Sequence, residues 1–370
     1  MLERPWYVSL NYPLVLCAVL LAVFGLFIIK SATLHTPDDA GDAAKQTAYF
    51  IAGLVAMGIF TFIDYHFWQR WAWPMYILTL LMLGAVAVAG HKALGAQRWI
   101  GVGPIVFQPS EPAKLLLTLS LAAILSDPKR NYRRLRDLIT PVVAIIPPTL
   151  LVLKQPDLGT AIIFVLILTT MLFFALPRLL HFAAYAAALA GAGALALASP
   201  LIKDYQRQRL LVFLHPKYDP QGAGWSLMQS KIAIGSGQLT GKGLYQGTQT
   251  QLGFVPEHAT DFIFTVVGEE LGFLGATLLL LLYAGLLFTA MLAVAAARDR
   301  YGLLVAVGIV AMFTFHVLIN VGMTVGIMPI TGIPLPFISY GGSSLLTCFM
   351  AVGVLLNIHL QRNKISFVEP

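Results

Sequence analysis

Leu271-Gly-Phe-Leu-Gly-Ala-Thr-Leu-Leu-Leu-Leu-Leu-Tyr-Ala-Gly-Leu-Leu-Phe-Thr-Ala-Met-Leu-Ala-Val-Ala-Ala296 is a run without one charged side chain, closed by Arg298-Asp-Arg300. An α-helix needs about 20 mostly apolar residues to cross the hydrocarbon core of a bilayer, so this stretch is long enough to span once. Runs of similar character cover residues 14–29, 48–63, 74–88, 114–125, 139–153, 161–175, 182–198, 303–321 and 345–358, the fourth being short unless residues 110–113 join it. Over 370 residues, 58% are apolar and only 11% charged, against about 25% charged in a soluble domain. So few charges cannot cover a water-soluble surface of this size. In lipid, every backbone polar group must pair within the protein, which leaves helices and closed barrels. The runs have helical length and lack the ten-residue alternation of barrel strands. The chain reads as an all-α integral membrane protein of about ten transmembrane helices, a single polytopic domain over residues 1–370.

Basic residues set the orientation. With the N-terminus in the cytoplasm, the cytoplasmic loops hold Arg70, then Lys129, Arg130, Arg133, Arg134 and Arg136, then Arg178, then Arg298 and Arg300. The tail holds Arg362 and Lys364, while the first outer loop holds Asp38, Asp39 and Asp42. This is the positive-inside pattern, and it puts both termini in the cytoplasm. The net charge of +7 is accounted for by topology and by contacts to anionic substrate or lipid. No nucleic-acid-binding module is present. Cys17 and Cys348 lie in apolar runs as packing residues, and residues 14–29 read as a retained anchor without a cleavage site. One extracytoplasmic loop is long, residues 199–261 between helices 7 and 8. Within it, residues 205–214 and 225–234 pattern as helices lying in the membrane interface, followed by a glycine-dense run, 235–247, that would let backbone approach a ligand closely.

Charged residues at membrane depth are costly, about 2.5–3.5 kcal/mol each on insertion scales, so the few present carry information. In Gln108-Pro-Ser-Glu-Pro-Ala-Lys114, Ser110 can cap a helix and Glu111 and Lys114 share one helical face. They are either a pair that lowers insertion cost or a charged pair beside a polar cavity. Asp157, in Gln155-Pro-Asp-Leu-Gly-Thr160, is explained by helix capping alone. In Thr260-Asp-Phe-Ile-Phe-Thr-Val-Val-Gly-Glu-Glu270, a helix would put Asp261, Thr265 and Gly268 on one face. A helix N-terminus favours an ionised carboxylate, and such a group at the water boundary suits a general base. Glu269 and Glu270 lie deeper and read as partners within the bundle. Residues 332–344 break the helical pattern at membrane depth, which survives only where protein or a watery cavity covers the backbone. The N–H groups starting the next helix at residues 341–344 could hold an anion. His316 and Asn320, at i and i+4, read as a buried hydrogen-bonded pair. No metal-ligand spacing of His, Cys or carboxylates occurs.

Taken together, Gly95-Ala-Gln-Arg-Trp-Ile100, Phe107-Gln-Pro-Ser-Glu111 with Lys114, Pro156-Asp-Leu-Gly-Thr-Ala161, Ala233-Ile-Gly-Ser-Gly237, Pro256-Glu257 with Thr260-Asp-Phe-Ile-Phe264 and Gly268-Glu-Glu270, and residues 334–344 resemble the shape, elongation, division and sporulation family, its elongation branch more than its division branch. Gln238 stands where many members carry a second glycine. The resemblance implies ten helices and a peptidoglycan glycosyltransferase that joins lipid II into β-1,4 glycan strands outside the inner membrane. It implies a class B penicillin-binding protein as transpeptidase partner, with lipid II and the growing strand as ligands. The family's essential acid falls on Asp261 and its charged pair on Glu111 and Lys114. Because the polyprenyl diphosphate of lipid II leaves as a stable anion, one base is enough, and cations should line the diphosphate site. Lys114, Arg98, Arg207, Arg209 and Lys231 are the candidates, with Trp99, Gln108, Asp157 and Ser343 as further substrate contacts. No cofactor is required, although a divalent cation could assist the diphosphate. The rival readings are a lipid II flippase, a scaffold for wall synthesis and a ligase for lipid-linked polysaccharide. A flippase should expose its groups to both faces by turns, whereas the unusual residues here gather at outer helix ends.

Overall fold

The computed structural model describes residues 9–34, 41–93, 96–102, 105–130, 132, 134–198, 204–214, 219 and 222–363. Asp38, Asp39, Gly95, Arg133, Lys364 and the segment 199–203, all part of the reading above, lie outside the described residues. The helices are α1 (Tyr12–Ala32), α2 (Asp42–Phe62), α3 (Tyr65–Arg70), α4 (Ala72–Ala89), α5 (Ser110–Ser126), α6 (Ile139–Lys154), α7 (Leu158–Ala175) and α8 (Leu179–Ala198) in the first half. They continue as α9 (Asp204–Leu214), α10 (Ala223–Ser236), α11 (Thr248–Gln251), α12 (Ile263–Glu270), α13 (Gly272–Ala296), α14 (Arg300–Val325) and α15 (Gly342–Leu360). Among the described residues, eight segments have the length and apolarity to cross a membrane, and α4 is a shorter apolar helix. The 17-residue α5 completes the bundle, carrying Glu111 and Lys114 on its first turns.

Helix starts follow local chemistry. Asn11 caps α1 by accepting from Leu14 N, with Pro13 in the first turn. Asp157 caps α7 by accepting from Thr160 N, and Asp299 caps α14 by accepting from Gly302 N. α14 ends at Gly326, whose φ of 80° is left-handed. The segment between α4 and α5 forms a small antiparallel sheet, β1 (His91–Ala93), β2 (Ala96–Val102) and β3 (Ile105–Phe107). No periodicity announced these short strands.

The centre of the bundle is α14 and α15, whose most apolar windows are 72% and 83% buried. Lipid tails are as apolar as leucine, so helices in a membrane are held by close packing and hydrogen bonds. α2 and α15 show this directly: Gly53 faces the Phe349 ring, while Gly353 faces Met57 O and the Phe60 side chain. α8 stands at the opposite extreme, only 6% buried, at the margin of the bundle. At one end of the bundle, short turns are cross-tied. Asn357 Nδ2 donates to Thr61 O at 2.8 Å, Arg300 donates to Ala175 O at 2.8 Å, and Tyr65 OH donates to Asp299. Arg70, Lys129, Arg130, Arg134, Arg136, Arg178, Arg298 and Arg362 lie in the turns of this same end or beside it.

Two readings are corrected by the structure. The run expected to be helical from residue 260 starts its helix only at Ile263, so Asp261 sits in a preceding turn, which hydrogen bonds from Thr260 N and Phe262 N to Glu257 O close at 3.2 and 3.1 Å. The glycine-dense run, read as room for a ligand, lies at Gly237 and Gly241 against the chain's own backbone. A Cβ on Gly237 would lie 2.0 Å from Gly268 O, and one on Gly241 would lie 2.1 Å from Glu270 O. That closeness lets Lys242 N reach Glu269 O at 3.1 Å and Gly243 N reach Glu270 O at 3.0 Å. In return Phe273 N and Leu274 N donate to Gln238 O and Leu239 O at 2.9 and 3.0 Å.

Candidate active site

At the end opposite the basic turns, the broken segments before α12 and α15 enclose a cleft of about 580 Å³. Arg98 and Trp99 of β2, Gln108, and Arg209 of α9 form one side. Glu257, Thr260 and Asp261 of the turn, Gly332, Pro334 and Tyr340, and the first residues of α15 form the other, with Lys45 and Tyr49 of α2 at the rim. Broken backbone at membrane depth needs such a covered, polar setting.

Asp261 is half-buried, and among the described residues its carboxylate oxygens carry no hydrogen bond. Gly332, at φ 74°, faces it: a Cβ there would lie 3.1 Å from Asp261 Oδ2, so glycine leaves the carboxylate its space. Burial, and then the like charges of Glu257 and Asp157, push the Asp261 carboxyl up to about 6, against the pull of Arg98 and Arg209. A carboxylate left without donors and raised toward neutrality is a better proton acceptor than an ordinary aspartate.

The cations are positioned through backbone carbonyls. Arg98 donates to Gln155 O at 3.4 Å and to Pro156 O, and Arg209 donates to Thr331 O at 3.4 Å. Ser343 Oγ accepts from Gln108 N at 3.0 Å, joining the end of the sheet to the first turn of α15. Gln46 braces the same corner, accepting from Gly341 N at 3.2 Å and donating to Ser339 O at 3.3 Å.

Of the residues expected from sequence, Asp261, Arg98, Trp99, Gln108, Arg209 and Ser343 converge on the cleft. Glu111 and Lys114 lie outside its lining, 3% and 2% exposed. Lys114 Nζ is 2.7 Å from Glu111 Oε1 and 2.8 Å from His316 Nε2. A buried ion pair so matched avoids the cost of an isolated charge. Asp157 is also buried, accepting from Thr160 N at 3.1 Å and Thr160 Oγ1 at 2.9 Å. Arg207 is exposed on α9 outside the lining, and the Lys231 side chain lies over Gly326 at the C-terminal end of α14. His316 and Asn320 do not bond to each other: His316 faces Lys114, and Asn320 donates to Asp261 O and Ile333 O. Sequence reasoning missed Lys45 and Tyr49, which α2 brings in only through long-range packing, and Tyr340 lay unremarked within the quoted broken segment. Glu257 lay inside a quoted motif, and its distance of four residues from Asp261 was the available signal.

The chain matches the cell cycle protein family FTSW_RODA_SPOVE over residues 12–364. It is 38% identical over 367 residues to the peptidoglycan glycosyltransferase MrdB of Escherichia coli (strain K12), covering 97% of this chain and 96% of that protein. It is 39% identical over 354 residues to stage V sporulation protein E of Bacillus subtilis (strain 168), covering 93% and 95%. Among solved structures, a chain of a peptidoglycan synthase complex that coordinates polymerization and crosslinking is similar at TM-score 0.82 and 30% identity, covering 96% of this chain and 99% of that one. The Thermus thermophilus rod shape determining protein RodA is similar at TM-score 0.72 and 30% identity, covering 98% and 100%.

Proposed function

The chain belongs to the FTSW_RODA_SPOVE cell cycle protein family, and we infer from that membership and from the cleft that it is a peptidoglycan glycosyltransferase of the rod-shape type. It joins lipid II units into β-1,4 glycan strands at the outer face of the inner membrane. The observation that carries the assignment of roles is Asp261: it sits in a polar cleft, its carboxylate accepts no hydrogen bond among the described residues, and Gly332 leaves it open space.

The reaction needs one base and a cationic setting. Asp261 takes the proton from the acceptor sugar's 4-hydroxyl as that oxygen attacks the donor's anomeric carbon. The new C–O bond forms on the face opposite the breaking bond to diphosphate, which inverts the centre and gives the β link. The polyprenyl diphosphate leaves with the bonding electrons and, being a stable anion, needs no acid. Arg98 and Arg209 on one side and Lys45 on the other supply positive charge where the diphosphate charge builds. Ser343 and Gln108 shape the corner between the sheet and α15. Glu111 and Lys114 support the cleft from beneath.

The relative solved within a peptidoglycan synthase complex supports a transpeptidase partner, a class B penicillin-binding protein, seated beside this chain. The basic turns at the end away from the cleft support a cytoplasmic location for that end and for both termini. A lipid II flippase would need a path between the two faces; the buried floor of Glu111, Lys114 and His316 supports an enzyme working on one face.

The test is to incubate the purified protein with labelled lipid II, with and without a class B penicillin-binding protein, beside a flipping assay in vesicles. Glycan ladders without flipping are expected. Flipping without polymer would overturn the reading.

A further inference from the structure

Three consecutive backbone carbonyls of the Asp261 turn are each held by a different donor. Tyr340 N reaches Ala259 O at 2.9 Å, Ser339 Oγ reaches Thr260 O at 2.7 Å, and Asn320 Nδ2 reaches Asp261 O at 2.8 Å. The Asn320 amide also donates to Ile333 O at 2.7 Å, so one side chain joins the turn to the broken segment that faces it. Asn320 is fully buried, and among the described residues its Oδ1 has no hydrogen bond. A buried acceptor without a partner disfavours the fold. Asparagine here is accounted for by its two N–H groups, because packing alone would be served as well by leucine.

One helical turn away on the same face of α14 stands His316. Its Nδ1 faces Met312 O at 2.7 Å. A carbonyl only accepts, so Nδ1 carries the proton and Nε2 offers its lone pair to Lys114. α14 thus presents in succession the residue that receives the buried ammonium and the residue that holds Asp261.

We propose that Asn320 and Ser339 are positioning residues that fix the Asp261 carboxylate through its backbone, and that His316 ties this strut to the buried Glu111–Lys114 pair, which acts through α14 and not by touching substrate. This rests on the reading of Asp261 as the base. A base works only within hydrogen-bond reach of the proton it takes, and a misplacement of about 1 Å costs on the order of a hundredfold in rate. The three bonds remove the rotations of the turn that would swing the carboxylate out of reach.

Asn320→Ala, Ser339→Ala and His316→Leu, with His316→Gln as the variant that returns an acceptor to Lys114, are purified and compared with the parent chain. Lipid II polymerisation gives kcat and KM, and hydrogen exchange of residues 255–265 reports on the turn. In each folded variant among the first three, kcat is expected to fall at least fivefold with KM within twofold, and the turn's amides to exchange faster. His316→Gln is expected to recover both readouts. A smaller fall in kcat, a loss carried by KM, or unchanged exchange in a folded variant overturns the proposal. Should Asn320→Ala not fold, Ser339→Ala decides, because it removes a single hydroxyl. If the parent chain itself makes no polymer, the enzymatic reading fails, and the exchange comparison still judges the strut.

Discussion

Asp261 and Glu269 lie eight residues apart along the chain, and the protein treats their carboxylates in opposite ways. Glu269 is fully buried and saturated: it accepts from Lys242 Nζ at 2.7 Å, Gln249 N at 2.8 Å, Thr250 N at 3.0 Å and Thr250 Oγ1 at 3.0 Å. Glu270 beside it accepts from Ser31 Oγ at 2.6 Å and Tyr245 N at 3.2 Å. Together they latch the loop of residues 237–251 onto the junction of α12 and α13. Asp261, before the same short helix, has its backbone gripped, and its carboxylate takes no donor among the described residues. The contrast lies in hydrogen bonding: donors fill the oxygens of both glutamates, while among the described residues none reaches those of Asp261, which stay open to an incoming hydroxyl. The difference separates a structural acid from a reactive one more sharply than depth in the membrane does.

Four measurements press on this contrast, from the largest effect to the smallest. Asp261→Asn keeps the shape and removes the base. Polymerisation of lipid II by the purified variant is expected to fall by about 10²–10⁴-fold, the usual worth of a general base. Its thermal midpoint at neutral pH should be unchanged or higher, because the folded state raises this carboxyl's affinity for protons and so disfavours its charged form. Near-normal polymer from that variant would sink the assignment. Glu269→Ala should do the reverse. It strands buried donors and costs on the order of 3 kcal/mol of stability, read as a lowered thermal midpoint, while folded molecules keep their rate. The third measurement is the pH profile of kcat/KM. Asp261 must be ionised to act, so activity should be flat above pH about 6 and fall tenfold per unit below it; a limb placed near 4 would mean a carboxylate not raised by its site. The smallest effect is expected from Gln238→Gly. Gln238 has φ 49°, a conformation that L side chains resist by about 1–2 kcal/mol. Glycine should recover a fraction of that as stability and leave the rate alone.

Much of the fold was legible because a bilayer imposes length and apolarity on each span. The apolar runs became α1, α2, α4 to α8 and α13 to α15 with small shifts of boundary. The two helices patterned at residues 205–214 and 225–234 appeared as α9 and α10. What stayed hidden is set by long-range contact. The small sheet between α4 and α5 leaves no periodic mark in so few residues. Lys45 and Tyr49 look like ordinary helix residues until α2 packs along α15 and carries them to the rim of the cleft. The site itself was half legible. Charge at membrane depth singled out Asp261, and the need for cations around a diphosphate named Arg98 and Arg209, but neither signal could tell cleft from core, and Lys114 was named by both. Lys231 and Arg207 were plausible by charge alone, and α9 and α10 place them outside the lining of the cleft.

The plugged floor beneath the cleft has a consequence for the cell that houses it. A polar pit sunk into a membrane thins the electrical insulation at that spot. Here the layer below is Leu117, Leu121, Ile309 and Phe313, each 0–1% exposed, under an ammonium already neutralised by its own carboxylate. These four buried apolar side chains offer water and ions no polar step from the cleft toward the basic turns.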